Sequence, residues 1–227
     1  MSVNTLLRDS RLSWLAASGK DSDVVLASRI RLARNFRQVP FPNRADFNQL
    51  AEVRLQVEKI LPGIASDLQQ DFDLLDMERL SSLQRDVLVE KQLISNNFIQ
   101  NPQHRVAFIT EDCRTSIMIN EEDHLRIQCM APGLDLDTPF AKASHIDDMI
   151  EDKLDIAFDE KMGYLTSCPT NLAQACVLRC CCICRDWSLR TISRVSSTSR
   201  RSLAWPSAAF TETRRIVWAI CSRYPIS

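Results

Sequence analysis

The sequence predicts an α+β fold, with an antiparallel sheet flanked by helices and a C-terminal tail that does not belong to it. Three observations carry this expectation. Between residues 105 and 130, short apolar strand signals are separated by polar turns, Glu111-Asp112 and Asn120 to Asp123. Helix-period segments stand apart from those strands instead of alternating with them. The composition also breaks after Leu172. Residues 1–172 hold 19 Lys+Arg and 27 Asp+Glu, a net of −8. Residues 173–227 hold 9 Arg, no Lys and 2 acids, a net of +7, together with 6 of the 9 Cys and none of the 4 Gly. The expected division is therefore a domain over 1–172 and a poorly ordered tail over 173–227.

In chain order, residues 4–17 place Leu6, Leu7, Leu12, Trp14 and Leu15 at amphipathic helical spacing. The β-branched, partly alternating run 23–33 predicts a strand. Residues 45–61 carry Phe47, Leu50, Val53, Val57, Ile60 and Leu61 at helical spacing, and Pro62-Gly63 is the expected stop. A strand is expected at 71–75. A helix follows over 77–94, with Leu80, Leu83, Val87 and Leu88 inward. Strands are expected at 105–109, 115–119 and 124–130, then a long acidic helix at 138–160 and a strand at 163–167.

The whole chain has a net charge of −1, which gives no global argument for nucleic acid as a partner. No run approaches the ~18 uninterrupted apolar residues of a membrane span. The N-terminus has no basic flank before an apolar core. The expectation is a cytoplasmic protein with neither nucleic acid nor membrane as partner.

Three segments carry candidate chemistry. On a strand, Arg29 and Arg31 point to the same face, and paired guanidinium groups suit bidentate binding of phosphate oxygens. The same pattern also fits a solvated strand face. Asn120-Glu121-Glu122-Asp123-His124-Leu125-Arg126 puts three carboxylates at a turn, with a cation just inside the next strand. It could grip or deprotonate a cationic substrate beside an anion-binding arginine, or be only a polar turn. Cys168, ahead of Pro169, fits a reactive thiol or a small buried hydrophobe. Cys113 and Cys129 fit the second description, and His104 and His145 have no motif around them. Metal ligation by His124 with the acids is a weak alternative.

Taken together, VVLASRIRLARN, VEKQLIS, NEEDHLRIQC and GYLTSCPTNL resemble the ATP:guanido phosphotransferases, the phosphagen kinase family, and within it the bacterial protein-arginine kinases. The resemblance covers about residues 1–172 and implies part of the phosphagen-kinase catalytic domain. It also implies ATP-dependent phosphorylation of arginine side chains, with Mg2+ accompanying ATP. Ala27, Ser28, Arg29, Ile30, Arg31, Gln92 and Arg126 match the ATP-binding positions. Gln92 stands where the family often has His. Glu121 matches the catalytic carboxylate that orients the guanidinium and takes its proton, and Cys168 the thiol beside that guanidinium. No residue is implied as a metal ligand. The implied partners are protein substrates with exposed arginines and an activating adaptor protein. The alternative is a non-catalytic pseudokinase fragment that binds nucleotide or arginine-containing partners.

After CPTNL the family continues with a glycine-rich G-T-G-x-R-A-S. One permitted codon choice for Ala173–Arg179, with a single nucleotide placed in front, reads G-T-G-M-R-A-S. Trp205–Glu212 and Ala219–Ser227, shifted likewise, also read as family-like segments. The expectation is a frameshift near Leu172, with an out-of-frame tail behind it and a truncated, inactive chain. A competing zinc reading of Cys181 and Cys184 lacks a second ligand pair, because the tail has no His and only Cys221 further on. Resequencing the gene across the Leu172 codon is expected to recover one additional nucleotide. An unaltered frame through Ala173–Arg179 in independent isolates would refute this account of the tail.

Overall fold

The computed structural model describes residues 12–15, 19–22, 25–168, 176–182 and 191–193. All of them lie in one compact unit, Met1–Ser193; a second unit, Arg194–Ser227, lies outside the described residues. The strands are β1 (Val25–Arg34), β2 (Phe72–Asp76), β3 (Val106–Thr110), β4 (Thr115–Ile119), β5 (Leu125–Pro132), β6 (Phe158–Asp159), β7 (Gly163–Tyr164), β8 (Cys176–Cys182) and β9 (Thr191–Ser193). The helices are α1 (Phe47–Leu68), α2 (Ser82–Glu90) and α3 (Asp137–Glu151). Seven strands form an antiparallel sheet in the order β2-β3-β4-β5-β1-β8-β9, and β6 pairs with β7 apart from it.

β1 lies inside the sheet because its side chains are buried on both faces, Ala27, Ile30 and Leu32 among them. Its register with β5 sets Arg29 opposite Met130, Arg31 opposite Gln128 and Ala33 opposite Arg126. One sheet face carries Ile30, Leu32, Ile117, Leu125 and Ile127, all buried. α3 packs on β1 and β5 through its own buried Ala143, Ile146 and Ile150. The other face, toward β3 and β4, holds a cluster of Leu75, Met77, Leu88, Leu93, Ile94, Phe98, Ala107, Ile109 and Met118. β5 ends at a close passage between two glycines. Gly133 has φ +66, and a Cβ there would lie 2.5 Å from the Lys20 carbonyl oxygen. No side chain fits.

Several elements differ from the sequence expectation. α1 does not stop at Pro62 but runs on to Leu68. A proline removes one hydrogen bond and crowds a carbonyl, yet its φ is helical. Buried Leu61 and Ile64 keep the helix seated across that gap. α1 begins at a capping box, Asp46 with Gln49. α2 is shorter than 77–94, because a second capping box, Ser81 with Gln84, fixes its start and Gln92 turns the chain with φ 57. Leu83, expected inward, is 73% exposed.

α3 ends at Glu151, nine residues before the expected end. There the chain leaves the helix to bridge Ile156 to Phe36, and the Arg37 N–H donates to the Asp155 carbonyl at 2.9 Å. The expected strand 163–167 is reduced to Gly163–Tyr164. Of the N-terminal helix, residues 1–11 and 16–18 lie outside the described residues, and Ser13–Leu15 form a 3-10 turn. The boundary after Leu172 also lies outside the described residues. Beyond it β8 pairs along β1 and β9 along β8. An antiparallel edge is matched by backbone N–H and C=O groups, whatever side chains the arriving strand carries.

The contrast between Leu83 and Leu88, which is fully buried, is testable. Leu88→Ala is expected to lower unfolding free energy by about 2–5 kcal/mol in urea titrations. Leu83→Ala is expected to change it by less than about 0.5 kcal/mol.

Candidate active site

The β1–β5 register determines which expected site residues meet. Arg29, Arg31 and Arg126 share one sheet face, because Arg126 lies opposite Ala33, two residues along from Arg31. Gln92 joins them. Its Oε1 accepts from Arg29 Nη1 at 3.3 Å, and its carbonyl accepts from Gln128 Nε2 at 2.8 Å. Gln128 Oε1 in turn accepts from Arg31 Nε at 2.9 Å. Two glutamines thus orient two guanidinium groups.

Ala27 lies on this face as well, but packs in a small cluster with Trp14 and Met130. Ser28 and Ile30 face the opposite way. The Ser28 hydroxyl donates to the Gly133 carbonyl at 2.8 Å and accepts from Asp135 N at 3.2 Å, and Ile30 is fully buried. The side chains of Ser28 and Ile30 therefore belong to the packing rather than to the arginine-bearing face.

The turn between β4 and β5 carries the acids. Asn120 adopts φ 61, with its amide donating to the carbonyls of Leu50 and His104. The Glu121 side chain is almost wholly buried. One oxygen accepts from the Ser95 hydroxyl, and the other lies 2.5 Å from Arg126 Nη1. The Glu122 side chain is 42% exposed and lies 3.2 Å from Arg126 Nη2. One arginine therefore sits between two carboxylates, of which the first is an internal anchor and the second faces solvent. Arg105 braces the turn, with Nε donating to the Asn120 carbonyl at 2.8 Å and Nη1 to Asn97 and Phe98. Burial lowers its pKa, and the charge of Glu121 opposes that shift.

Asp123 and Asn35 tie this turn to the segment bearing Cys168. Asp123 Oδ1 accepts from Asn35 Nδ2 at 2.6 Å and from the Ser167 N–H at 2.7 Å. The Ser167 hydroxyl donates to the Glu122 carbonyl at 2.7 Å. Asn35 also donates to the Leu165 carbonyl and accepts from His124 N. Cys168 is half-buried, and its carbonyl accepts from Thr166 Oγ1 at 3.0 Å.

His124 is buried in the same knot. Its Nδ1 accepts from the Phe36 N–H at 3.1 Å, which puts the ring proton on Nε2. Burial lowers its pKa to about 4, against a hydrogen bond to Pro40 and the charge of Asp123. Cys129 is a buried thiol pushed up to about 11. Among the described residues, no group of three or more His, Cys, Asp or Glu could hold a metal ion. Also among the described residues, no helix is long and apolar enough to cross a membrane.

Gln128, Ser95, Arg105 and Asn35 were not singled out as site residues from the sequence. Ser95 and Asn35 lie within segments that carry the resemblance, with no role assigned to them, Gln128 lies two positions past Arg126 on the same strand face, and Arg105 has no motif around it.

Residues 52–178 match the family described as ATP:guanido phosphotransferase, C-terminal catalytic domain. The chain is 50% identical over 152 residues to a protein-arginine kinase of Caldanaerobacter subterraneus subsp. tengcongensis, covering 67% of this chain and 45% of that one. It is 42% identical over 177 residues to a protein-arginine kinase of Bacillus subtilis, covering 76% and 47%. The chain thus spans less than half the length of these relatives. Its fold is similar to the substrate-free duplicated taurocyamine kinase of Schistosoma mansoni, with TM-score 0.64 and 20% identity, over 78% of this chain and 26% of that one.

The His124 environment predicts a pH dependence. Its folded pKa of about 4 lies below the ordinary imidazole value of 6.5, so the unfolded chain binds the proton first as pH falls. The stability this group contributes is complete above pH 6.5 and is lost as pH drops toward 4, a total of about 3 kcal/mol. NMR titration of the His124 ring should give a midpoint near 4. A midpoint near that of a free imidazole would contradict the buried neutral ring.

Proposed function

Because the chain belongs to the ATP:guanido phosphotransferase family, we propose that it carries the first part of a protein-arginine kinase site. That site would transfer the γ-phosphoryl group of ATP to the guanidinium of arginine side chains in proteins. The supporting observation is the shared face of Arg29, Arg31 and Arg126, which ends at the turn carrying Glu121 and Glu122 beside the Cys168 segment.

Phosphoryl transfer depends on charge neutralisation and in-line positioning more than on covalent chemistry by the protein. Arg29 and Arg31, held by Gln92 and Gln128, present guanidinium groups to the nucleotide phosphates. Arg126 is the third such group, fixed by Glu121. A guanidinium is protonated at neutral pH, so its nitrogen needs a carboxylate to become nucleophilic. In the proposed step that nitrogen bonds to the γ-phosphorus and the bond from phosphorus to the β,γ-bridging oxygen breaks. ADP leaves, and the proton passes to the carboxylate. Bound with ATP, Mg2+ would offset phosphate charge; none of the residues described is assigned to hold it. Cys168 lies beside the bound guanidinium.

The sequence reading gave the carboxylate role to Glu121. The geometry favours Glu122, since Glu121 is buried and engaged by Ser95 and Arg126 while Glu122 is open to substrate. Glu121 then acts through Arg126 as a positioning residue. A non-catalytic fragment that binds nucleotide or arginine-containing partners is the second reading, because the residues after Leu172 do not carry the family's G-T-G-x-R-A-S in frame. In either reading the tail from 173 is proposed to be out of frame, cytoplasm is the proposed compartment, and an adaptor is a proposed partner.

In a frame-restored protein, Glu122→Gln should lower turnover by ~10²–10⁴-fold with little change in ATP affinity. Glu121→Gln should instead weaken ATP binding by releasing Arg126. The reverse pattern would return the base role to Glu121. The 227-residue chain itself should form no measurable phosphoarginine. Activity within about tenfold of the restored protein, a margin inside the loss expected for one missing electrostatic donor, would overturn the out-of-frame reading.

A further inference from the structure

Away from the arginine-bearing face, the end of α3 and the β6–β7 hairpin border an open cleft of about 460 Å³. It is lined by Glu151, Leu154, Asp155, Ile156, Phe158 and Tyr164. The rings of Phe158 and Tyr164 meet edge to face at 5.1 Å, and Phe158 is 46% exposed. Carboxylates and aliphatic side chains complete the lining. Aliphatic surface, aromatic faces and carboxylates together match one kind of side chain, an apolar stem ending in a planar cation.

The molecule already uses these walls in that way. The guanidinium of Arg34 stacks 3.5 Å from the Tyr164 ring centroid. That of Arg37 reaches Asp155 Oδ1 at 3.1 Å and the Phe158 carbonyl at 3.3 Å. Arg37 and Asp155 are both more than half exposed, and such a pair is weak enough for a second guanidinium to displace.

The charge around the cleft is complementary to a cation. The lining carries two carboxylates, Glu151 and Asp155, within an acidic stretch of chain that has seven carboxylates between Asp147 and Glu160. The last turn of α3 has no basic residue. Acids at that end oppose the helix macrodipole, so helix stability does not account for them.

We propose that this cleft binds an arginine side chain of the protein substrate other than the arginine that is phosphorylated. Lysine fits less well, because its ammonium neither stacks flat on a ring nor pairs bidentately with a carboxylate. The proposal rests on the reading above that the substrate is an arginine-containing protein, and it adds a determinant for choosing among such substrates.

The test uses the full 227-residue chain carrying Glu122→Gln, so that the reacting-site carboxylate does not contribute. The probes are a short blocked peptide with one arginine and its citrulline counterpart, titrated by calorimetry with NMR shifts followed at Phe158 and Tyr164. The arginine peptide should bind at least about fivefold tighter than the citrulline peptide and shift both rings. Adding Asp155→Asn with Phe158→Leu should remove that preference, as expected for losing one exposed ion pair and one cation–π face. Phe158→Leu keeps apolar surface at the position, and circular dichroism checks the fold.

Equal affinity for the two peptides, or a preference that survives both substitutions, would overturn the proposal. Failure of the phosphoryl-transfer reading would appear separately, as ATP binding indifferent to Arg29→Ala, and would leave the peptide titration unchanged.

Discussion

One buried oxygen, Asp123 Oδ1, holds the site together. It accepts from Asn35 at the end of β1 and from the backbone of Ser167, so the turn bearing the acids and the segment bearing Cys168 share an anchor. A buried carboxylate oxygen is costly unless hydrogen-bonded, and the partners of Oδ1 come from two distant stretches of chain, while Oδ2 is buried without one. Asn35 repeats the logic with His124 and Leu165. The spacing between acid and thiol is therefore set by a hydrogen-bonded knot, with little freedom left to loop conformation. The neutral state of His124 follows from the same burial.

A second buried polar group ties α3 to the sheet. Arg34 pairs with Asp147 and lies 3.7 Å from Glu151 while stacking on Tyr164. Burial raises Asp147 to about 6, more than Arg34 lowers it, with Glu151 and Asp148 adding like charge. Here the folded pKa exceeds the ordinary aspartate value of 3.8, so this contribution is full below that value and fades as pH rises through about 6. It runs opposite to His124 across mildly acidic pH. Burial likewise raises Tyr164 to about 12, aided by its hydrogen bond to Glu151.

The sequence made the strands legible where alternation or β-branching was dense, as in β1, β3, β4 and β5. It located Arg29, Arg31, Arg126 and the acidic turn, because those residues are contiguous in motifs. It misjudged helix ends, since Pro62 looks like a stop until the burial of Leu61 and Ile64 is known. The end of α3 is set by the bridge from Ile156 to Phe36, which no local pattern encodes. Ser95 and Arg105 were invisible as site residues for a similar reason. Their roles exist only through contacts with a turn that folding brings to them. The division between Glu121 and Glu122 is a matter of which adjacent side chain points inward, and spacing carries no information on that.

The order of assembly follows from where β1 sits. It is the earliest of the described strands in chain order, yet its neighbours in the sheet are β5 and β8, so its strand partners lie about a hundred residues further along the chain or more. Asn35 must find Asp123 across 88 residues and Leu165 across 130. Loop closure over such separations must precede the contacts that reward it, and this slows folding. The reacting groups are therefore expected to come together late, after β2 to β4 have paired through their short connections. During synthesis on the ribosome, the arginines of β1 would emerge early and wait, without their acidic counterparts, until the chain has been extended past Ser167.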